Sequence, residues 1–348
     1  MKPLVSILIP AYNAEETIAH TLRSAIGQTW ARTEIIVVDD GSTDRTAEIA
    51  QNFGPHVKVV STANNGLSGA VNVAYALSQG DYIQELDADD LMAPNKIEHQ
   101  LAALGESDSK RLLLCSPWAE FYYRTHTARF IDNSLCRDLS PVEWLLTKMS
   151  ENIFMQNACW LVSRELAEAA GPWNTSLQYD QDGEYFARVL LASEGVRFVR
   201  GTGVFYRRSG TSRVSYIGNS DVKKNSLALA VRLYIQYLRS LQESERVRTA
   251  CLTLLQNCYP VFYPERPDLV ADLNNLAAEL HGQLKEPRLR WKYAWMRPIF
   301  GWKLAKRAQY ELPQLKASCI SYYDKAMYWI EAARADANWS VGGGSVDE

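Results

Sequence analysis

Short apolar runs alternate with longer segments of helical periodicity through the first hundred positions. Val5-Ser6-Ile7-Leu8-Ile9 is followed by a predicted helix from Thr17 to Gly27, and Glu34-Ile35-Ile36-Val37-Val38 by one from Thr43 to Phe53. Val57-Lys58-Val59-Val60 precedes a helix from about Ser68 to Ser78. Tyr82-Ile83-Gln84-Glu85-Leu86 precedes one starting near Pro94, where proline suits a first helical turn. Four such units place the chain in the α/β class, with a mainly parallel, twisted sheet flanked by helices on both faces.

From Arg111 to about Thr211 the periodicity is mixed: Leu112 to Cys115, an aromatic stretch from Trp118 to Phe130, a helix from Pro141 to Thr147 and another from Gln181 to Ala192. This reads as the second half of the same domain. Beyond Ser220 the pattern turns helical, through Leu227 to Leu238, Cys251 to Leu255, Leu269 to Leu280 and Leu304 to Ile330. The expected division is a catalytic domain over 1–215, a C-terminal helical appendage over 216–338 and a flexible Gly/Ser-containing tail over 339–348.

With 348 residues, 47% of them hydrophobic, the chain can bury a substantial core. A formal net charge of -3 gives no whole-chain argument for nucleic acid. The six cysteines include no CxxC pair and no zinc-ligand spacing, so reduced thiols in a cytosolic protein are expected. The N-terminal apolar run stops at Pro10, too short for a signal core, and no run reaches the ~20 residues of a membrane-spanning helix.

Charge is informative locally. Asp39-Asp40-Gly41-Ser42 and Asp87-Ala88-Asp89-Asp90 each follow an apolar run that reads as a buried strand. Strand ends facing one crevice are where open α/β sheets bind ligands. Several carboxylates there would repel a bare diphosphate unless a divalent cation lay between them. Alternation along an extended segment would point Asp87 and Asp89 the same way. The first cluster also reads as a tight turn capping a helix, with Ser42 or Thr43 as cap. Asn64 to Asn72 is glycine-rich without being a GxGxxG loop, and Ser68 there suits a helix cap. Asp182 opens the Gln181 helix as either a functional acid or a capping carboxylate, with Glu184 and Arg188 an i,i+4 pair. Arg288 to Arg307 interleaves cations with aromatics and suits either an anionic bilayer or packing on the catalytic domain.

Taken together, Val5 to Asn13, Val37 to Asp44 and Leu86 to Asp90 resemble the family 2 inverting glycosyltransferases of GT-A fold, over roughly the first 210 residues. The resemblance implies a hexosyltransferase-type enzyme that moves a single sugar from a nucleoside-diphosphate sugar, a UDP-sugar foremost, to an acceptor hydroxyl. Cell-surface polysaccharide, lipid-linked oligosaccharide or glycoconjugate synthesis is the implied setting. Pro10, Ala11, Tyr12, Asn13, Asp39 and Asp40 would form the floor under the nucleoside; a Tyr face stacks on a pyrimidine and a carboxylate accepts from a uracil N–H. Asn65, Gly66 and Ser68 would approach the diphosphate, Asp87 the ribose or metal-bound water, and Ala88 lies between them and the metal ligand Asp89, which would hold Mn2+ or Mg2+. Asp182 is implied as general base, with Asp180 as runner-up.

The chain departs from the pattern at two places. Val71 stands where an Arg is common, and the Tyr206 to Arg213 stretch, which resembles the family's lid, lacks a His; Arg207 and Arg208 would then carry more of the phosphate charge, unless this is simply a solvated basic loop. With no QxxRW motif, single-sugar transfer is expected over polymerisation. A nucleotidyltransferase and a catalytically inactive sugar-nucleotide-binding module are the alternatives. Implied partners are the donor, a carbohydrate or lipid-linked acceptor and, through the basic aromatic stretch, the inner face of a membrane.

Overall fold

The computed structural model describes residues 2–105, 109–208 and 216–342. Its strands are β1 (Val5–Ala11), β2 (Thr33–Asp39), β3 (Lys58–Ser61), β4 (Tyr82–Glu85), β5 (Leu91–Met92), β6 (Leu112–Cys115), β7 (Trp118–Phe121), β8 (Arg129–Ile131), β9 (Trp160–Ser163), β10 (Gly195–Phe198) and β11 (Val204–Arg207). The helices are α1 (Ile18–Ile26), α2 (Thr46–Gln51), α3 (Gly66–Leu77), α4 (Lys96–Ala102), α5 (Pro141–Glu151), α6 (Arg164–Ala170), α7 (Gln181–Ala192), α8 (Asp221–Leu241), α9 (Glu245–Phe262), α10 (Pro267–Glu279), α11 (Trp291–Ala294) and α12 (Arg297–Gly342).

Seven strands form the main sheet in the order β10-β6-β9-β4-β1-β2-β3. Pairing is parallel between β1 and β2, β1 and β4, β2 and β3, and β6 and β10, while β9 runs antiparallel to both β4 and β6. The mainly parallel α/β sheet expected from the apolar periodicity is therefore present. Because helices cover both faces, every residue of β1 is buried, including Ser6, whose hydroxyl accepts the Gly80 N–H at 2.8 Å. Short β5, β11, β7 and β8 make a second sheet.

The chain divides into two compact units. The first comprises Met1–Ala119, Phe130–Tyr206 and Ile217–Pro287 and holds the main sheet and α1 to α10. The second comprises Glu120–Arg129, Arg207–Tyr216 and Arg288–Glu348. Within the second unit Asp324 is nearly buried and accepts from the Tyr123 and Arg124 backbone N–H groups and from Arg124 Nε at 2.8, 3.1 and 2.7 Å. Arg124 also pairs with Glu331.

Several element boundaries differ from the periodicity. The second helix begins at Thr46 rather than Thr43, because Thr43 and Asp44 are engaged with the loop after β1. The fourth begins at Lys96, after Asn95 in the cap position, rather than near Pro94. All six cysteines are unbonded, and among the described residues no helix is long and apolar enough to cross a membrane.

Candidate functional site

Four strand ends converge at the carboxyl edge of the main sheet: β3, β2, β1 and β4. The loops beyond them are laced together by short polar side chains. Asn13, in the left-handed region at φ 48, donates its N–H to Ser42 Oγ at 2.9 Å and accepts the Thr43 N–H at 2.8 Å. Asp40 is buried; its N–H bonds Ala11 O, and its Oδ1 accepts the Asn65 N–H at 2.8 Å. Gly41 has φ +74, and a Cβ there would stand 3.0 Å from the Asn64 nitrogen, so the loops after β2 and β3 touch where only glycine fits. Pro10 and Ala11 are buried, while Tyr12 is 53% exposed and presents its ring at the surface of this floor.

The capping assignments need correction. Ser42 serves the Asn13 N–H instead of capping α2, and Asp44 takes the Thr46 N–H at 2.9 Å. Ser68 sits within the first turn of α3, because Gly66 at φ +76 lets the helix begin two residues earlier; the Ser68 hydroxyl is buried without a partner.

Beyond β4 the backbone turns tightly, Asp90 N–H bonding Asp87 O at 3.0 Å, rather than continuing extended. Burial still alternates through the turn: Leu86, Ala88 and Asp90 are buried, Asp87 and Asp89 partly open. Asn157 Nδ2 donates to Asp87 at 3.1 Å, and Gln156 Nε2 to Asp90 at 2.7 Å. Burial pushes the Asp87 carboxyl up to about 7, with the Asp89 charge adding to it. Glu85 is pushed well up by burial and then by Asp87; one of its oxygens accepts Trp173 Nε1 at 3.0 Å and the other has no partner.

The opposite wall is the first turn of α7. Asp180 precedes it in the left-handed region at φ 59 and accepts the Tyr234 hydroxyl at 2.9 Å. Asp182 is partly buried in that turn, its carboxyl raised by burial, and its charge acts on both Glu85 and Asp87. The acidic strand end and the start of α7, almost a hundred residues apart, therefore form one electrostatic cluster. Burial also raises Asp180, to about 6, against the pull of the Lys148 ammonium, which lies 5.0 Å over the Tyr234 ring. Glu184 and Arg188 form the expected pair, at 2.8 Å.

Val71 faces the hydrophobic core. Arg207 is buried in the second unit, bonded to Tyr122 O and 4.5 Å from the Phe121 ring centroid, while Arg208 pairs with Glu120 at 2.8 Å. Ser209 to Arg213 of the lid-like stretch lies outside the described residues. Sequence reasoning passed over Glu85, Trp173, Lys148 and Tyr234 as site members. The signal for Glu85 was its place beside Gln84 in a strand buried on both faces, where a polar side chain needs a partner.

The unpartnered oxygen belongs to the buried Glu85 carboxyl, whose charge state is coupled to Asp87 and Asp182. Among the described residues no group of three or more His, Cys, Asp or Glu side chains can hold a metal ion alone.

Residues 6–169 match the family model described as Glycosyl transferase family 2. An uncharacterized glycosyltransferase of Rickettsia typhi is 28% identical over 247 residues, 70% of this chain and 74% of that protein. The Escherichia coli chondroitin synthase is 43% identical over 99 residues, 28% of this chain and 14% of the synthase. The crystal structure of S. aureus TarS 1-349 in complex with UDP-GlcNAc aligns with a TM-score of 0.57 at 18% identity, over 89% of this chain and 92% of that one, a likeness of fold.

Proposed function

Because residues 6–169 match the Glycosyl transferase family 2 model and the fold is like that of S. aureus TarS, we propose that the chain is a family 2 glycosyltransferase of GT-A fold, metal-dependent and inverting, which moves one sugar from a UDP-sugar to an acceptor hydroxyl. The observation that carries the reading is the electrostatic cluster of Asp87, Asp89 and Asp182 beside the tied loops of Asp40, Asn13 and Asn65. The matched S. aureus structure holding UDP-GlcNAc supports a uridine donor. The match to the family model favours sugar transfer over a nucleotidyltransferase.

Tyr12 stacks on the uracil, and Asp39 or Asp40 accepts from its ring N–H. Asn65, Gly66 and Ser68 meet the diphosphate, with the unpartnered Ser68 hydroxyl available to it. Asp89, with Asp87 beside it, would hold Mn2+ or Mg2+, which when bound neutralises the charge of the departing diphosphate. Asp182 takes the proton of the acceptor hydroxyl as that oxygen attacks the anomeric carbon from the face opposite the nucleotide. Burial raises Asp182 above an ordinary carboxylate, which makes it a better base. The acceptor is a carbohydrate or lipid-linked hydroxyl, in a cell-surface polysaccharide or glycoconjugate, and the Trp118 and Asn152 to Trp160 segments line its side. The basic aromatic stretch of the second unit meets the membrane.

Titrating UDP calorimetrically with Mn2+ and with EDTA tests the donor site. Metal-dependent binding is expected for the native chain and its loss in Asp89→Ala, whereas Asp182→Asn should keep UDP binding and lose transfer by at least about a hundredfold. Native-like transfer by Asp182→Asn would remove the base assignment. Absence of nucleotide binding would leave an inactive module.

A further inference from the structure

Residues 288–307 carry seven Lys and Arg and no Asp or Glu, together with five aromatic side chains. In the second unit this stretch forms α11, a turn and the start of α12, which bends at Gly301, at φ 77. Tyr293 and Ala305 are buried and anchor it. Leu289, Met296 and Trp302 are half-buried, while five large apolar groups face outward: Trp291 is 88% exposed, Ile299 66%, Trp295 59%, and Phe300 and Leu304 about half. Arg288, Arg290, Lys292, Arg297, Lys303 and Arg307 are exposed among them, and among the described residues Arg307 pairs with a carboxylate, Glu311. Leaving this many indoles and aliphatic groups in water is costly, and contiguous patches of this kind mark interaction surfaces.

We propose that this surface is an interfacial anchor for an anionic lipid bilayer, with Trp291, Trp295, Ile299, Phe300 and Leu304 entering the headgroup region and the cations meeting lipid phosphates. Charge complementarity selects that occupant. A second copy of the chain would bring seven like charges against seven, with no acidic side chain in the stretch to offset them. Indole rings favour the membrane interface, and long basic side chains reach the headgroups while their methylenes stay in the apolar layer. The surface exists without any sugar chemistry, so it stands or falls apart from the transfer reaction.

The test is flotation of the full chain on vesicles of phosphatidylcholine alone and of phosphatidylcholine enriched in phosphatidylglycerol. Binding is expected only to the anionic vesicles and should weaken with salt. Replacing Lys292, Arg297 and Lys303 with Gln should lower affinity by roughly a hundredfold, about fivefold for each cation. A Trp291→Ser, Trp295→Ser, Phe300→Ser variant should lose binding, with its far-ultraviolet circular dichroism unchanged. UDP titration of the same samples reads the first unit separately. Failure of the native chain to float on anionic vesicles overturns the proposal, as does binding by both variants as strong as that of the native chain. Sedimentation showing an oligomer that the apolar variant dissolves, without flotation, assigns the surface to a second copy and also overturns it.

Discussion

Asp40 shows how much one carboxylate can do when it is buried with backbone partners. Its side chain holds the loop after β3 through the Asn65 N–H, while its own N–H is held by Ala11. Asp40→Ala leaves a buried donor unpaired and loosens the floor, and UDP affinity should fall about tenfold by calorimetry. Lys96 makes a different prediction. It is fully buried, donates to Gln84 and to Gln100 Oε1 at 2.7 Å, and burial pulls its ammonium down to about 7. Cys159 and Cys115 face it, and burial keeps the Cys115 thiol protonated. Between about pH 7 and the ordinary lysine range the unfolded chain binds one more proton here than the folded chain, so stability rises with pH. Lys96→Met should flatten that rise in thermal melts between pH 7 and pH 10. Asp39 and Asp40 were legible because they close β2, and Asp87 and Asp89 because they follow β4. Asn157 and Trp173 were not, because their partners Asp87 and Glu85 lie 70 and 88 positions away.

At the scale of elements, α7 matches the span its periodicity predicts, and its apolar face is buried through Tyr185, Phe186, Val189 and Leu190. The periodicity could not show that Gly183 is needed for packing. A Cβ there would lie 2.1 Å from the Tyr234 hydroxyl and 2.5 Å from Asp180 Oδ1. Gly183→Ala therefore forces apart the contact that holds Asp180 at the helix start. The expected cost is about 2 kcal/mol in denaturant unfolding, with transfer reduced more than UDP binding. The shortened α2 teaches the converse. Ser42, Thr43 and Asp44 have the composition of a helix start, yet their hydrogen-bonding groups go to Asn13, Glu15 and Thr46, and the tertiary loop wins over local propensity.

At the scale of the molecule, the division into two units predicts separable melting. Asp324→Ala removes the acceptor for two backbone N–H groups and the Arg124 guanidinium, all inside the second unit. Calorimetry should show the transition of that unit lowered by several degrees with the other unmoved; a single unchanged transition would contradict this. The second unit also marks the limit of a linear reading, since it gathers Glu120–Arg129, Arg207–Tyr216 and the C-terminal helices from three separate stretches. What the sequence by itself determined was the parallel α/β sheet and the strand-end acids, because apolar periodicity and turn chemistry act between near neighbours. Only the tertiary structure decided that Asp182 shares a field with Asp87, that Arg207 is buried against Phe121, and which side chains of the basic aromatic stretch remain in water. Burial and electrostatic coupling depend on distance in space, and that distance exists only once the chain has folded.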